Sequence, residues 1–231
     1  MDSYFSIAID GPSGAGKSSL AKSLAEKLGF LYLDTGALYR TIGVYVYEAG
    51  ISGYETEKIK GLIDGGGIKI DVVYENGGQK VFLNDIDVSE KIRENHISRY
   101  ASDVSKIPKV REFLLNTQKE AAEKNNIIMD GRDIGTVILP HANVKIFLTA
   151  SPEERAKRRY KELTENGKNV DYGAILREIN ERDLQDSSRD AAPLKPAEDA
   201  VILDNSNDSP AETLDRAVNI IKEKLPDVCI R

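Results

Sequence analysis

The run Gly11-Pro12-Ser13-Gly14-Ala15-Gly16-Lys17-Ser18-Ser19 constrains this chain more than any other stretch. An apolar, β-prone segment at residues 5–9 stops at it. A helical pattern with Leu20, Leu24 and Leu28 on one face starts straight after it. Gly11, Gly16, Lys17 and Ser18 fill every fixed position of Gly-x-x-x-x-Gly-Lys-Ser, the spacing of a phosphate-binding loop. Glycines let the backbone curl so that successive N–H groups face one hollow, where a bulky Cβ would block a phosphate. The following helix turns its N-terminus, with unpaired N–H groups and partial positive charge, toward the same spot. Lys17 then reaches β- and γ-phosphates, and the Ser18 hydroxyl suits Mg²⁺. Two rivals exist. One is a plain glycine turn joining strand to helix. The other is a dinucleotide-binding turn, since Gly14-x-Gly16-x-x-Ser19 nearly has that glycine pattern and Asp34 ends the next strand. Against the second, its third glycine is Ser19, and Lys17-Ser18 is what a triphosphate with Mg²⁺ requires.

Short apolar strands alternate with helical patterns along the chain. Strands are expected at 30–33, 127–129, 144–148 and 200–203. Helices are expected at 17–28, from 34 to near Gly50, at 55–63, 97–105 and 108–124, from 152 to near Gly167, from Asp171 past Arg182, and from 210 to before Pro226. Ser89 reads as the cap of another short helix, and Ser151-Pro152-Glu153-Glu154 and Ser209-Pro210-Ala211-Glu212 as capping boxes. Alternation of this kind means a parallel sheet covered on both faces, with ligands beyond the carboxyl ends of the strands. The loop at Gly11, Asp34-Thr35, and Asp130 to Asp133 all follow strand ends, so they are expected on one rim. Between them the texture changes. Ile68, Ile70 and Val72 alternate with charged residues, Asn76-Gly77 signals a hairpin turn, and Asn84-Asp85 signals another. Residues 68–88 thus read as a small antiparallel insert, there either for packing or to flank a cleft.

Phosphate chemistry needs cations, and the chain has them only locally. Its 32 Lys and Arg stand against 38 Asp and Glu, a net charge of −6, which disfavours a broad nucleic-acid surface. Arg40, Arg111, Arg132, Arg155, Arg158, Arg159, Arg182 and Arg189 are the candidates, because a guanidinium fork binds phosphate oxygens bidentately. Arg182, Asp186 and Arg189 share a helical face if the helix persists that far. The cations from Arg155 to Lys161 form either a solvated helix face or a lid over nucleotide. Asp34 and Asp130 each follow a strand and could each position Mg²⁺ or cap a helix. A single Cys229 excludes a disulfide framework, and two His with one Cys disfavour a zinc site. No apolar run approaches a membrane span, and a cytoplasmic protein without membrane or nucleic-acid partners is expected.

Four motifs carry a family resemblance: Gly11-Pro12-Ser13-Gly14-Ala15-Gly16-Lys17, Leu33-Asp34-Thr35-Gly36-Ala37-Leu38-Tyr39-Arg40, Asp130-Gly131-Arg132-Asp133-Ile134-Gly135-Thr136, and Glu181-Arg182-Asp183 with Asp186 and Arg189. In this order they resemble the bacterial cytidylate kinase family, over nearly the whole chain. The resemblance implies an α/β fold with a five-stranded parallel sheet of the P-loop NTPase type, helices on both faces, a small antiparallel β insert and a lid. As one domain over 1–231, the core is expected at 1–63, 96–150 and 191–231, the insert at 64–95 and the lid at 151–190. It implies a monomer that phosphorylates CMP and dCMP with ATP and Mg²⁺, giving the diphosphates. By the same resemblance Gly11, Pro12, Ser13, Gly14, Ala15, Gly16, Lys17, Ser18 and Ser19, with Arg158, hold ATP, and Ser18 touches the metal. Arg40, Arg132 and Arg189 hold the CMP phosphate with Thr35 nearby, and Arg182 and Asp186 face the ribose. Ser102, Arg111 and Asp133 read the cytosine edge. Lys17, Arg132, Arg158 and Asp34 are the residues expected to serve catalysis. Thr35 keeps the hydroxyl where some members have serine, and Ser18 stands where some have glycine.

Overall fold

The computed structural model of the chain describes residues 4–75 and 78–229. Its elements run β1 (Ser6–Asp10), α1 (Lys17–Leu28), β2 (Leu31–Asp34), α2 (Thr35–Glu48), α3 (Thr56–Asp64), β3 (Ile70–Glu75), β4 (Gly78–Leu83) and β5 (Ile86–Asp87). There follow α4 (Asn95–Val104), α5 (Pro108–Lys124), β6 (Ile127–Gly131), β7 (Val144–Thr149), α6 (Pro152–Glu165), α7 (Tyr172–Ser187), β8 (Val201–Asp204) and α8 (Pro210–Lys224). The principal sheet has five strands in the order β2-β6-β1-β7-β8, and a second sheet has the order β3-β4-β5. Two compact units divide the chain, Met1–Phe30 with Asn126–Arg231, and Leu31–Asn125.

In the first unit β1 is central, parallel to β6 on one side and β7 on the other, with β7 parallel to β8. Ile7, Ala8 and Ile9 are all fully buried. Successive side chains on a strand point to opposite faces, so both faces are covered, as the near-continuous apolar run requires. Ile127, Ile128 and Met129 of β6 are buried in the same way. Register places Ile9 beside Asp130 and Asp10 beside Gly131, so the loop after β1 and the Asp130–Asp133 turn leave the sheet side by side. Helix α1 ends as its sequence suggests, with Gly29 left-handed at φ 66° and its N–H donated to the Ala25 carbonyl. Ser209 and Glu212 form a complete capping box on α8.

The second unit has its own core, in which Leu38, Ile42, Ile59, Ile97 and Leu114 are fully buried. Helices α2 and α4 press closely there. A Cβ on Gly43 would lie 3.2 Å from the Ala101 nitrogen and 3.2 Å from the Tyr100 Cβ, so any larger residue would need the facing helix to give by a few tenths of an ångström. The antiparallel insert is present, with Ile70 opposite Leu83 and Leu83 opposite Ile86. Its second turn carries Asn84 and Asp85 at φ 49° and 65°, a conformation these residues tolerate. The Asn76-Gly77 turn lies outside the described residues.

Two local expectations are corrected. Ser89 caps no helix, because its hydroxyl accepts the Val81 N–H of β4, and a short 3₁₀ turn at Lys91–Arg93 begins after Glu90 instead. Ser151 caps α6 through the Glu154 N–H, but its own N–H goes to Ser206 Oγ, so the box is one-sided. Helix α7, capped by Asp171, runs past Arg182 as expected and ends at Ser187, so it does not persist to Arg189. A π-helical turn at Ile134–Ile138, invisible to periodicity, follows Asp133. Among the described residues no helix is long and apolar enough to cross a membrane.

Candidate active site

The loop after β1 is built by capturing its carbonyls. Lys17 Nζ donates to the Pro12 carbonyl at 2.7 Å, Arg155 Nη1 to the Ser13 carbonyl at 2.9 Å, and Asn205 Nδ2 to the Ala15 carbonyl at 3.0 Å. These three bonds fix the curled backbone of the loop, the kind of turn whose successive N–H groups bind anions. Gly16 sits left-handed at φ 92° as the N-cap of α1 and supplies no side-chain acceptor to the helix's first N–H groups. At Gly11 the constraint comes from β7. A Cβ there would fall 1.9 Å from the Leu148 carbonyl oxygen, so only glycine lets the loop leave the sheet at this point.

Lys17 is buried, and burial pushes its ammonium well below the ordinary value. The neighbouring Arg132 charge adds to the fall, while Asp130 opposes it. A site so crowded with positive charge favours an anion. Ser18 Oγ donates to Asp130 Oδ2 at 2.9 Å, so of the two acids that follow strands Asp130 is the one beside the loop hydroxyl. Asp10 was not singled out from sequence. Its two carboxylate oxygens accept the Ile134 and Gly135 N–H groups at 2.8 and 2.7 Å, which anchors the turn carrying Arg132 and Asp133. Burial pushes the Asp10 carboxyl up to about 6, with those two N–H groups pulling the other way. The signal for it was a carboxylate closing an otherwise apolar strand.

Asp186 draws three of the expected residues together. Arg132 Nε donates to Asp186 Oδ2 at 2.8 Å, and Arg189 Nη2 donates to Oδ1. Arg189 lies past the helix end, yet it still meets Asp186. Burial alone would raise the Asp186 carboxyl, but the charges of Arg132 and Arg189 outweigh it and hold it below the usual range, with Arg182 adding to the effect. Asp133 is buried at the head of the π-helical turn, its carbonyl accepting the Val137 and Ile138 N–H groups.

The cations of α6 divide. Lys157, Arg159 and Lys161 pair with Glu154, Glu162 and Glu165 at (i, i±3) or (i, i+4) on the exposed face, the ordinary solvated pattern. Arg158 donates to the side chain and carbonyl of Asn205 at 3.2 and 2.6 Å, the residue that holds the Ala15 carbonyl. Arg155 is 2% exposed, and its Nε donates to the Ala150 carbonyl at 2.9 Å. Its fork grips both oxygens of Asp183. Neither Asn205 nor Asp183 was given a role from sequence.

In the second unit Asp34 caps α2 through the Ala37 N–H at 3.0 Å and pairs with Arg40 at 2.6 Å. Thr35, the first helical residue, is buried beside it in sequence. Gln79 of the insert, not foreseen, accepts the Asp34 N–H at 2.8 Å and ties β4 to the helix start. Arg111 lies 5.9 Å from the Tyr39 ring centroid and donates to the Ser105 carbonyl at 3.4 Å. Ser105 in turn donates its hydroxyl to the Ser102 carbonyl at 2.8 Å, so Ser102 and Arg111 share one corner.

The donor set fits Mg²⁺. Ser18 and Asp130 offer a hydroxyl and one carboxylate, and Mg²⁺ commonly takes one or two carboxylates and completes its shell with water and phosphate oxygens. Among the described residues no group of three or more His, Cys, Asp or Glu is arranged to hold a metal ion.

The sequence profile of the family described as cytidylate kinase matches residues 7–223. A cytidylate kinase of Caldicellulosiruptor saccharolyticus is 52% identical over 214 residues, 93% of this chain and 94% of that one. One from Carboxydothermus hydrogenoformans is 46% identical, covering 94% and 97%. Among solved structures, a shikimate kinase from Bacteroides thetaiotaomicron aligns at a TM-score of 0.48 and 16% identity, covering 96% of this chain and 98% of its own. With the profile spanning most of its length and relatives near half identical over more than nine-tenths of both chains, the chain belongs to the cytidylate kinase family.

Proposed function

We propose that this protein transfers the γ-phosphoryl group of ATP to CMP and dCMP, giving ADP with CDP or dCDP. One observation carries the reading beyond family membership. The loop lysine feels the Arg132 and Arg182 charges, and Arg132 in turn belongs to the guanidinium pair around Asp186. A phosphate cradle and an arginine cluster within electrostatic reach are what two polyanionic nucleotides need. Gly11 to Ser19 hold the triphosphate, with Lys17 and Arg158 stabilising charge on the transferred group. Ser18 and Asp130 are the residues that would hold Mg²⁺, which when bound neutralises phosphate charge. For the acceptor, the family pattern assigns Arg40, Thr35, Arg132 and Arg189 to the phosphate, Arg182 and Asp186 to the ribose, and Ser102, Arg111 and Asp133 to the cytosine edge.

Cytosine presents an amine donor at N4 and acceptors at N3 and O2. The Asp133 carboxylate or the Ser102 hydroxyl accepts from the amine, and Arg111 donates to the acceptors. Uracil inverts that edge, which leaves a buried carboxylate facing a carbonyl at a cost of about 1–3 kcal/mol or more. Phosphoryl transfer needs alignment and neutralised charge more than covalent help, so no general base is assigned. The test is a coupled ADP-release assay with ATP and Mg²⁺ across CMP, dCMP, UMP, AMP and shikimate. Turnover led by CMP and dCMP is expected, and preference for AMP or shikimate would overturn the reading.

A further inference from the structure

Helix α7 is held in two different ways along its length. Its first half packs on α6 through Ala156, Ile175 and Ile179, with Leu163, Val170 and Leu176 around them. That apolar cluster stops before the last two turns. Leu184, the next large apolar residue, is 69% exposed, so its side chain does not fix the end that carries Arg182 and Asp186. Ion pairs do so instead. Asp186 meets Arg132 and Arg189, and Asp183 meets Arg155.

The Arg155 pair is unusual in what else it holds. The guanidinium is planar and rigid, so the direction of its grip on Asp183 sets the direction of its remaining N–H groups. One of those two nitrogens, Nη1, is shared between Asp183 Oδ1 at 3.0 Å and the Ser13 carbonyl at 2.9 Å. A shift of α7 that re-aims Arg182 or Asp186 therefore pulls on the loop at Ser13. A loop closed on phosphate likewise fixes Asp183 and with it the end of α7. Lysine at position 155 could not transmit this, because a single ammonium has no fixed plane.

We infer that Asp183 is a positioning residue that couples the two nucleotide sites, acting through Arg155 on the Ser13 carbonyl. The inference rests on the kinase reading, with triphosphate on the loop, acceptor phosphate on Arg132 and Arg189, and acceptor ribose on Arg182 and Asp186. Its consequence is reciprocal: each nucleotide tightens the other by the same factor.

The experiment is calorimetric titration of a non-hydrolysable ATP analogue and of CMP, each alone and each with the other saturating. It is done on the unaltered protein, on Asp183→Asn and on Arg155→Lys. In the unaltered protein the coupling is expected within the ordinary range of about 5- to 150-fold, equal in both directions. Asp183→Asn keeps one acceptor oxygen, and it should bring the coupling close to onefold while leaving the affinity for CMP alone within about threefold. Arg155→Lys should do the same, and it carries the test if Asp183→Asn does not fold. A merely structural Asp183 would lower thermal stability and both single-ligand affinities but leave the ratio in place. An undiminished ratio in a folded variant overturns the inference. So does independent binding of the two ligands in the unaltered protein, with the kinase reading left standing. Failure of the unaltered protein to bind either nucleotide overturns both.

Discussion

Removing the Asp186 carboxylate tests the electrostatic design of the cluster most directly. Side-chain exposure is 5% for Asp186, 8% for Arg189 and 19% for Arg132, so the three charges are largely withdrawn from water. Asp186→Ala would leave the Arg132 and Arg189 guanidiniums together without the carboxylate they share. Breaking a buried pair by deleting one partner costs about 3–5 kcal/mol. For a chain of this size each kcal/mol lowers the midpoint by roughly 2–4 °C, so a fall of roughly 6–20 °C is expected at pH 7. The pH dependence has a definite sign. Asp186 has its carboxyl held below the ordinary 3.8, so its contribution is complete above that value and is lost as the pH falls through the depressed folded value. Scanning calorimetry of both proteins from neutral into strongly acid buffer checks this. The difference in midpoint should be constant from pH 7 to about 4 and then shrink. A fall of less than about 3 °C at pH 7 would refute the magnitude, and a difference that persists unchanged into strong acid would refute the charge-based cause.

Lys17→Ala should reduce kcat by about 100- to 1000-fold, as loss of a preorganised donor to transferred charge does, while CMP still binds by calorimetry. Near-normal turnover would remove Lys17 from the chemistry. Asp133→Ala should erode the preference for CMP over UMP more than phosphoryl-transfer competence, and equal loss of kcat/KM on both substrates would contradict the base-reading role. Asp10, with its carboxyl raised to about 6 from 3.8, binds protons more readily folded than unfolded between those values. Stability therefore declines as the pH rises through that window, by about 3 kcal/mol, and Asp10→Asn should flatten the decline. Chemical denaturation at several pH values measures both slopes, and parallel curves would show that Asp10 does not titrate there.

The parts of the fold written in local chemistry were legible in advance. The alternation of buried strands and helices, Gly29 as a cap, and the Ser209 capping box depend on residues within a few positions of one another. Failures came where a side chain found a distant partner. Ser89 prefers a strand N–H eight residues back, and Ser151 yields its own N–H to Ser206. The choice between Asp34 and Asp130 could not be made from spacing, because both end strands. Asp34 is occupied by its helix and Arg40, and Asp130 takes the Ser18 hydroxyl from 112 residues away. The Arg155–Lys161 run could be assigned to neither a solvated face nor a lid because it is not one feature. Three of its cations are surface partners of glutamates, and two are tied into the loop's supports.

The nucleotide loop itself shows why a short motif under-describes a site. Its glycines make the curled backbone possible, yet possibility is not preorganisation, since the same freedom costs conformational entropy when one shape is selected. Selection comes from the carbonyls. Pro12 is held from within the motif by Lys17, but Ser13 is held by Arg155 and Ala15 by Asn205, 142 and 190 residues along the chain. Arg155 is in turn fixed by Asp183, and Asn205 by Arg158 at its own carbonyl. The cradle is therefore a product of the assembled unit, its backbone shape fixed by carbonyls that distant side chains hold. A peptide carrying residues 5–28 alone has the motif and the helix but lacks two of the three carbonyl partners, and it should bind a triphosphate far more weakly than the intact chain.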